Sequence, residues 1–161
     1  SRVTRGAFDI TRDCEGEDLD PYRYVRGYGA DQALAVLARH GVAHACIGVG
    51  GDVVVSGTPE PGRAWRAGVR SGRIGDPVRA VVSLDPAGQW RAVSTDVRDD
   101  GTVFAVVAQS LTIASTLATA LVHWQGRGTP WTDAPAPVEV LRVDPSGALS
   151  GSPGMHALLQ W

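Results

Sequence analysis

The chain has 161 residues, 43% of them hydrophobic and 20% charged, so it can form one globular domain with its own core. The formal net charge is -2 at pH 7 and no run of basic residues occurs. Binding to nucleic acid or to a membrane surface therefore has no electrostatic support. The longest apolar runs are too short to span a membrane.

The two cysteines, Cys14 and Cys46, form no Cys-x-x-Cys pair and have no metal-ligand spacing. Cys46 lies in a run of small and β-branched residues, and we predict that it is a small core residue. A disulfide between the two cysteines remains open. The chain begins at Ser1 with no visible leader, so the sequence is compatible with both a cytoplasmic and an exported location.

The first strong pattern along the chain is a helix followed by a strand. Apolar residues recur at helical spacing from Ala33 to Ala38, which predicts a helix within residues 25–40. Asp31 is expected in the first turn, where the helix dipole favours a carboxylate. Gly41 fits a left-handed C-cap. Residues 43–49 then predict a buried strand that ends at Gly50-Gly51-Asp52.

The rest of the chain alternates between strands and turns. We predict strands at residues 64–70, 78–84, 90–95, 102–108 and 138–143, and a short return at 148–150. The 78–84 and 90–95 strands are expected to form a hairpin across the turn between them.

A second helix is predicted over residues 110–125. It begins after Ser110 as N-cap and ends at Gly126 and Gly128. The tail from Met155 to Trp161 is expected to pack on the core. Together these elements predict an α+β fold, with a mixed, largely antiparallel sheet and two helices packed on it.

A ligand site is indicated where two glycine-containing stretches flank the first helix–strand unit. These are Val25-Arg26-Gly27-Tyr28 and Gly50-Gly51-Asp52. Glycine lets the backbone approach a ligand closely, and the aspartate places a carboxylate at the end of the strand.

Several short motifs, read in order, resemble the ApbE-like flavin transferases over roughly the whole chain. The motifs are Asp20-Pro21, Arg26-Gly27-Tyr28, Ala30-Asp31 and Gly50-Gly51-Asp52-Val53, preceded by Gly6, Phe8 and Asp9 and followed by Trp65-Arg66, Gly68-Val69 and Leu117 to Leu121. Single pieces such as Gly-Gly-Asp are weak signals alone, whereas their order and spacing are fairly specific.

The resemblance implies a single T-fold-like α+β domain over residues 1–161 that moves FMN from FAD onto a protein threonine. It implies FAD as substrate, magnesium as cofactor and a threonine-bearing acceptor protein as partner. The flavin-nucleotide site it implies comprises Asp20, Arg26, Gly27, Tyr28, Gly50, Gly51, Asp52, Ser94 and Thr95. The magnesium ligands it implies are the Val25 carbonyl and the side chains of Ser115 and Thr119, one helical turn apart.

The chain departs from the family pattern in three places. It lacks the family's N-terminal region and its His-x-x-Asp-Pro-x-Thr-Gly segment, and Ser115 stands where the family has an aspartate. Because a neutral hydroxyl replaces the anionic ligand, we expect magnesium affinity to fall unless Asp52 or Asp20 compensates. A second copy of the chain or another partner could supply the missing lid.

Two other functions remain open from the sequence. One is a catalytically degenerate relative that acts as a binding module, and the other is an enzyme repurposed for another substrate in the same cleft. Structural roles are open too: Ser115 and Thr119 could hydrogen-bond back to their own helix, and Arg26 could be a solvated arginine. Asp52 could be a turn residue, and Ser94 and Thr95 could be inert.

Overall fold

The computed structural model describes residues 21–70, 75–85, 87, 89–124 and 136–160. In chain order the elements are α1 (Tyr22–Arg39), β1 (Ala45–Val49), β2 (Asp52–Ser56), β3 (Trp65–Arg70), β4 (Val78–Leu84), β5 (Ala92–Val97), β6 (Val103–Ala108), α2 (Leu111–Val122), β7 (Val138–Val143), β8 (Leu149–Gly151), α3 (Met155–Leu158) and β9 (Leu159–Gln160). Within the described residues, no helix is both long and apolar enough to span a membrane.

The strands form two antiparallel sheets. The larger sheet has the order β1-β2-β5-β6-β7-β8, and the smaller has the order β3-β4-β9. The predicted α+β class, with a largely antiparallel sheet and packed helices, is confirmed.

The central strand β6 divides the core into two layers. Its side chains alternate: Val103, Ala105 and Val107 contact the smaller sheet, whereas Phe104 and Val106 contact the helices. All six residues of β6 are buried. A strand that is covered on both faces has apolar residues at every position. This explains why the sequence of β6 does not alternate between apolar and polar residues.

The two long helices pack against one face of the larger sheet. α1 presents Gly27, Ala30 and Leu34 as a buried stripe at helical spacing. α2 is more deeply buried along its length and begins at Ser110, whose side chain accepts a hydrogen bond from the Ile113 N–H as predicted for an N-cap. Gly41 has φ of 82°, which confirms the left-handed end of α1.

The predicted hairpin between the 78–84 and 90–95 strands is wrong. β4 pairs with β3 and β9 in the smaller sheet, whereas β5 pairs with β2 and β6 in the larger one. Ala92, Val93 and Ser94 are consecutive and all buried. A strand covered on both faces belongs inside a sheet, and β4 buries alternate residues on one face only.

Two further predictions need correction. The strand at residues 43–49 is not buried: β1 is an edge strand that pairs with β2 alone among the described strands, and its Cys46 is exposed. α1 begins at Tyr22, so Asp31 lies in the middle of the helix rather than in its first turn. Cys14, Gly126, Gly128 and Trp161 lie outside the described residues.

Candidate functional site

Polar groups converge at one end of the larger sheet, where the first turns of α1 meet the β1–β2 turn and β5. Arg26 Nη2 lies 2.5 Å from Asp52 Oδ2, and Asp52 Oδ1 accepts a hydrogen bond from the Thr95 N–H at 3.1 Å. The Asp52 side chain is 1% exposed and that of Arg26 is 11% exposed. Both oxygens of a buried carboxylate are therefore satisfied, which such a group requires.

The β1–β2 turn is shaped by its two glycines. Gly50 and Gly51 have φ of 56° and 92°, and Val49 pairs with Asp52 across them. Positive φ at both central positions is the requirement of a tight two-residue hairpin turn. A Cβ atom at Gly50 would collide with the Arg26 guanidinium. The glycine therefore makes room for the arginine that pairs with Asp52.

A second arginine of α1 ties the helix to the end of β5. Arg23 Nη1 donates to the Thr95 carbonyl at 3.2 Å, and Arg23 Nη2 donates to Asp96 Oδ1 at 2.8 Å. Arg23 and Arg26 are three residues apart, so they lie on the same side of the helix. Two guanidinium groups are thus fixed beside the glycine turn.

Three tyrosines in the first two turns of α1, Tyr22, Tyr24 and Tyr28, have exposed rings. The Tyr24 and Tyr28 rings lie almost parallel with their centroids 6.3 Å apart, and both are about half exposed. The Arg26 guanidinium lies 5.2 Å from the centre of the Tyr22 ring, within the range of a cation–π contact. Tyr24 and the predicted site residue Tyr28 are each two positions from Arg26 and so lie on the opposite side of the helix, which leaves Tyr22 as the ring beside the Arg26–Asp52 pair.

The packing of α1 on α2 brings Gly27, Ser115 and Thr119 to the same region. Ser115 Oγ donates to the Arg23 carbonyl at 3.2 Å and also lies 3.4 Å from the Thr112 carbonyl. A Cβ atom at Gly27 would lie only 2.6 Å from Ser115 Oγ, so the contact requires glycine. Thr119 Oγ1 is buried and has no hydrogen-bond partner among the described residues.

This donor set does not fit magnesium. Magnesium prefers hard, usually anionic oxygen ligands in octahedral geometry, whereas Ser115 contributes a neutral hydroxyl that already contacts backbone carbonyls. Both oxygens of Asp52 are engaged. Among the described residues, no group of three or more His, Cys, Asp or Glu side chains could hold a metal ion. The unpartnered Thr119 hydroxyl is a single candidate ligand and does not make a site.

Most of the residues predicted for the site lie near one another. The structure brings together Arg26, Gly50, Gly51, Asp52 and Thr95, with Gly27, Ser115 and Thr119 on the helix–helix contact behind them. Ser94 is fully buried and its hydroxyl has no partner among the described residues. The Val25 side chain is 55% exposed, and the carbonyl that Ser115 contacts is that of Arg23. Asp20 lies outside the described residues.

Sequence reasoning missed Arg23 and Asp96, which extend the site along β5. The three-residue spacing of Arg23 and Arg26 was the available signal, because it places both arginines on one helix face once residues 22–28 are read as helical. Asp96 carried no local signal, since its partner is 73 residues away in the chain.

Comparison with known proteins identifies a family and similar folds. The family model described as "ApbE family" matches residues 1–99. The ApbE protein from Thermotoga maritima superimposes with a TM-score of 0.69 at 23% identity, over 89% of this chain and 54% of that one. The flavin transferase ApbE from Vibrio cholerae superimposes with a TM-score of 0.65 at 19% identity, over 88% of this chain and 52% of that one.

At these identities the solved structures establish the fold, and this chain spans about half of their length. The search of curated proteins found no match. The family model covers more than half of the 161 residues, and all of the motifs that suggested the resemblance except Leu117 to Leu121 fall within the match. The chain belongs to the ApbE family.

Proposed function

We propose that the chain is a flavin-transferase domain that binds FAD beside the β1–β2 turn and moves FMN to a protein threonine. Family membership supports the kind of reaction. The observation that carries the location is the buried Arg26–Asp52 ion pair, which fixes a guanidinium against the glycine turn. Magnesium is assigned no step here, because the described side chains do not supply its ligands.

The proposed reaction is an exchange at phosphorus. The threonine hydroxyl of the acceptor attacks the phosphorus of the FMN half of FAD, the pyrophosphate bond breaks, and AMP leaves. A phosphoester joins FMN to the threonine, and the hydroxyl proton passes to solvent or to AMP. Because charge builds on the phosphoryl oxygens, cationic groups held in place beforehand accelerate such a step.

In this proposal Arg23 and Arg26 of α1, each held by a carboxylate, provide guanidinium hydrogen-bond donors for the phosphates. A guanidinium matches the geometry of phosphate oxygens and stays charged at all relevant pH values. Arg26 also neutralises Asp52, so the buried carboxylate does not repel the FAD pyrophosphate. The exposed ring of Tyr22, which contacts the Arg26 guanidinium, could stack with a planar ring of the dinucleotide.

The test is FAD binding by calorimetry, followed by incubation with a threonine-containing acceptor and mass spectrometry for an added FMN. We expect FAD binding in wild type and loss of at least tenfold in affinity in Arg26→Met. Arg26→Lys should keep part of the affinity because it retains the charge. Arg66→Met, an exposed arginine on β3, is the matched control and should bind as wild type. Absence of FAD binding in wild type would contradict the proposal.

A second function is favoured by one specific observation. The sequence resemblance aligns Ser115 with the family's anionic ligand, and in the structure Ser115 Oγ donates to the Arg23 carbonyl. This arrangement fits a relative that binds a flavin nucleotide but no longer transfers it. FAD binding with no labelled acceptor would favour this second function over the first. Gain of magnesium-dependent binding in Ser115→Asp would place the family's metal position at this residue.

A further inference from the structure

A separate cavity of about 220 Å³ lies at the opposite end of the larger sheet, between α1 and the ends of β2 and β5. Its walls are mostly apolar and include Leu34, Ala38 and Val54. Ser56, at the end of β2, and Arg91, just before β5, also line it. Asp52 and Thr95 lie at the other ends of these two strands, so the cavity is not part of the flavin site proposed above.

Two polar groups in the wall of this cavity are unpartnered. Arg91 Nε and Ser56 Oγ are buried and have no hydrogen-bond partner among the described residues. Buried donors of this kind are normally paired within the protein, by ordered water or by a ligand. The cavity therefore offers a guanidinium and a hydroxyl to a group that accepts hydrogen bonds.

Gln109 also lines the cavity, whereas the carboxylate of Asp31 and the hydroxyl of Ser110 already have hydrogen-bond partners. Asp31 accepts hydrogen bonds from the Leu111 and Thr112 N–H groups, each at 2.9 Å, and Ser110 Oγ accepts one from the Ile113 N–H. The N-terminus of α2 is thus capped by protein side chains, and the charge of Asp31 is balanced by these donors. Arg91 is left as the cation that has no carboxylate partner among the described residues.

We propose that this cavity binds a small carboxylic acid with a compact apolar body. The carboxylate would pair with Arg91 and accept a hydrogen bond from Ser56, and the body would contact Leu34, Ala38 and Val54. A carboxylate matches the planar fork of a guanidinium, and the apolar walls favour it over inorganic phosphate, which has no apolar part. An engineered cavity of about 150 Å³ admits benzene, so the space here suits an acid of about the size of benzoate.

The experiment is a titration of the full chain with benzoate, followed by protein NMR, with benzamide and inorganic phosphate as comparison ligands. We expect saturable one-to-one binding of benzoate, with shifts confined to residues around the cavity. Benzamide has the same shape without the charge and should bind at least tenfold more weakly, as should phosphate.

Three variants locate the binding. Arg91→Gln should weaken benzoate binding at least tenfold, and Ala38→Leu, which fills the cavity from α1, should abolish it. Arg66→Gln, on β3 in the other sheet, should bind as wild type. Thermal unfolding of each variant shows whether it is folded, and Ser56→Ala provides a milder change if Arg91→Gln does not fold.

Three outcomes would overturn the proposal. One is the absence of saturable benzoate binding at tens of millimolar, which would mean that the cavity holds water only. Another is equal affinity for benzoate and benzamide, because charge recognition would then be absent. The third is unchanged binding by folded Arg91→Gln or Ala38→Leu. None of these results depends on whether the chain binds FAD.

Discussion

The carboxylate of Asp31, in the middle of α1, accepts a hydrogen bond from the Leu111 N–H, 80 residues further along the chain. The same carboxylate also accepts hydrogen bonds from the N–H and hydroxyl of Thr112. The first turn of α2 therefore receives its cap from another helix as well as from Ser110. A negative charge at a helix N-terminus is also favoured by the helix dipole. Asp31 thus fixes α1 and α2 relative to each other.

Replacement of Asp31 by Asn should destabilise the protein. The substitution removes the charge and one of the two acceptor oxygens, so at least one N–H of the first turn of α2 loses its partner. We expect a loss of about 1–2 kcal/mol in the free energy of unfolding, the range measured for helix caps. Urea denaturation measures it, with Asp99→Asn in an exposed turn as control. Equal stabilities of the two variants would contradict the capping role.

We expect substitutions of Arg26 and Asp52 to have strongly coupled effects on the free energy of unfolding. Each single variant, Arg26→Met or Asp52→Asn, leaves the partner buried without its counter-charge or its hydrogen bond. Loss of one partner of a buried pair costs about 3–5 kcal/mol. The double variant removes both groups, so it should lose less than the sum of the single variants by about 1–3 kcal/mol. Additive losses in a denaturation series would show that the pair does not interact.

Much of the fold follows from local patterns in the sequence. The uninterrupted apolar run of β6 predicts a strand, and Ser110 predicts the start of α2. Gly50-Gly51-Asp52 predicts the end of β1, whereas the strand β2 that begins at Asp52 was not predicted. The predicted features depend on neighbours within a few residues, which is the range that a sequence pattern reports.

The features that sequence reasoning missed depend on distant partners. Gly27 and Gly29 disfavour a helix by propensity, yet α1 runs through both because Gly27 packs directly on Ser115. The placement of β5 beside β2 and β6 is set by burial on both of its faces. The Asp31 cap and the Arg23–Asp96 pair likewise join residues more than 70 positions apart. No local pattern encodes such contacts.

Because of two carboxylates in turns, those of Asp100 and Asp144, we expect the protein to lose stability in acid. The Thr102 N–H donates to Asp100 Oδ1 at 2.8 Å and lowers the pKa of Asp100 below its ordinary value of 3.8. The Ser146 hydroxyl and the Ala148 N–H do the same for Asp144. A carboxyl group whose pKa is lower in the folded than in the unfolded state stabilises the protein at pH values above its unfolded-state pKa. This stabilisation disappears as the pH falls through its folded-state pKa.

We therefore expect Asp100→Asn and Asp144→Asn to be less stable than wild type at pH 7, with a difference that shrinks below about pH 3.8. Both groups are exposed, so each effect should be small. Thermal unfolding between pH 7 and pH 3 measures it. Asp99→Asn, in the same exposed turn as Asp100, serves as the comparison variant. A difference that grows towards low pH would contradict the assignment.

Two glycines of α1, two positions apart, give a matched test of the helix–helix contact. At Gly29 a Cβ atom would meet nothing within 4 Å, so Gly29→Ala should stabilise the exposed helix face by about 0.5–1 kcal/mol. At Gly27 a Cβ atom would lie 2.6 Å from Ser115 Oγ and 2.8 Å from the Leu111 carbonyl oxygen. The backbone oxygen cannot rotate away, so Gly27→Ala should destabilise the protein by about 1–3 kcal/mol despite the same gain in propensity. Thermal and urea unfolding of the two variants should therefore shift in opposite directions, and a stabilised Gly27→Ala would show that α1 and α2 are not in this close contact.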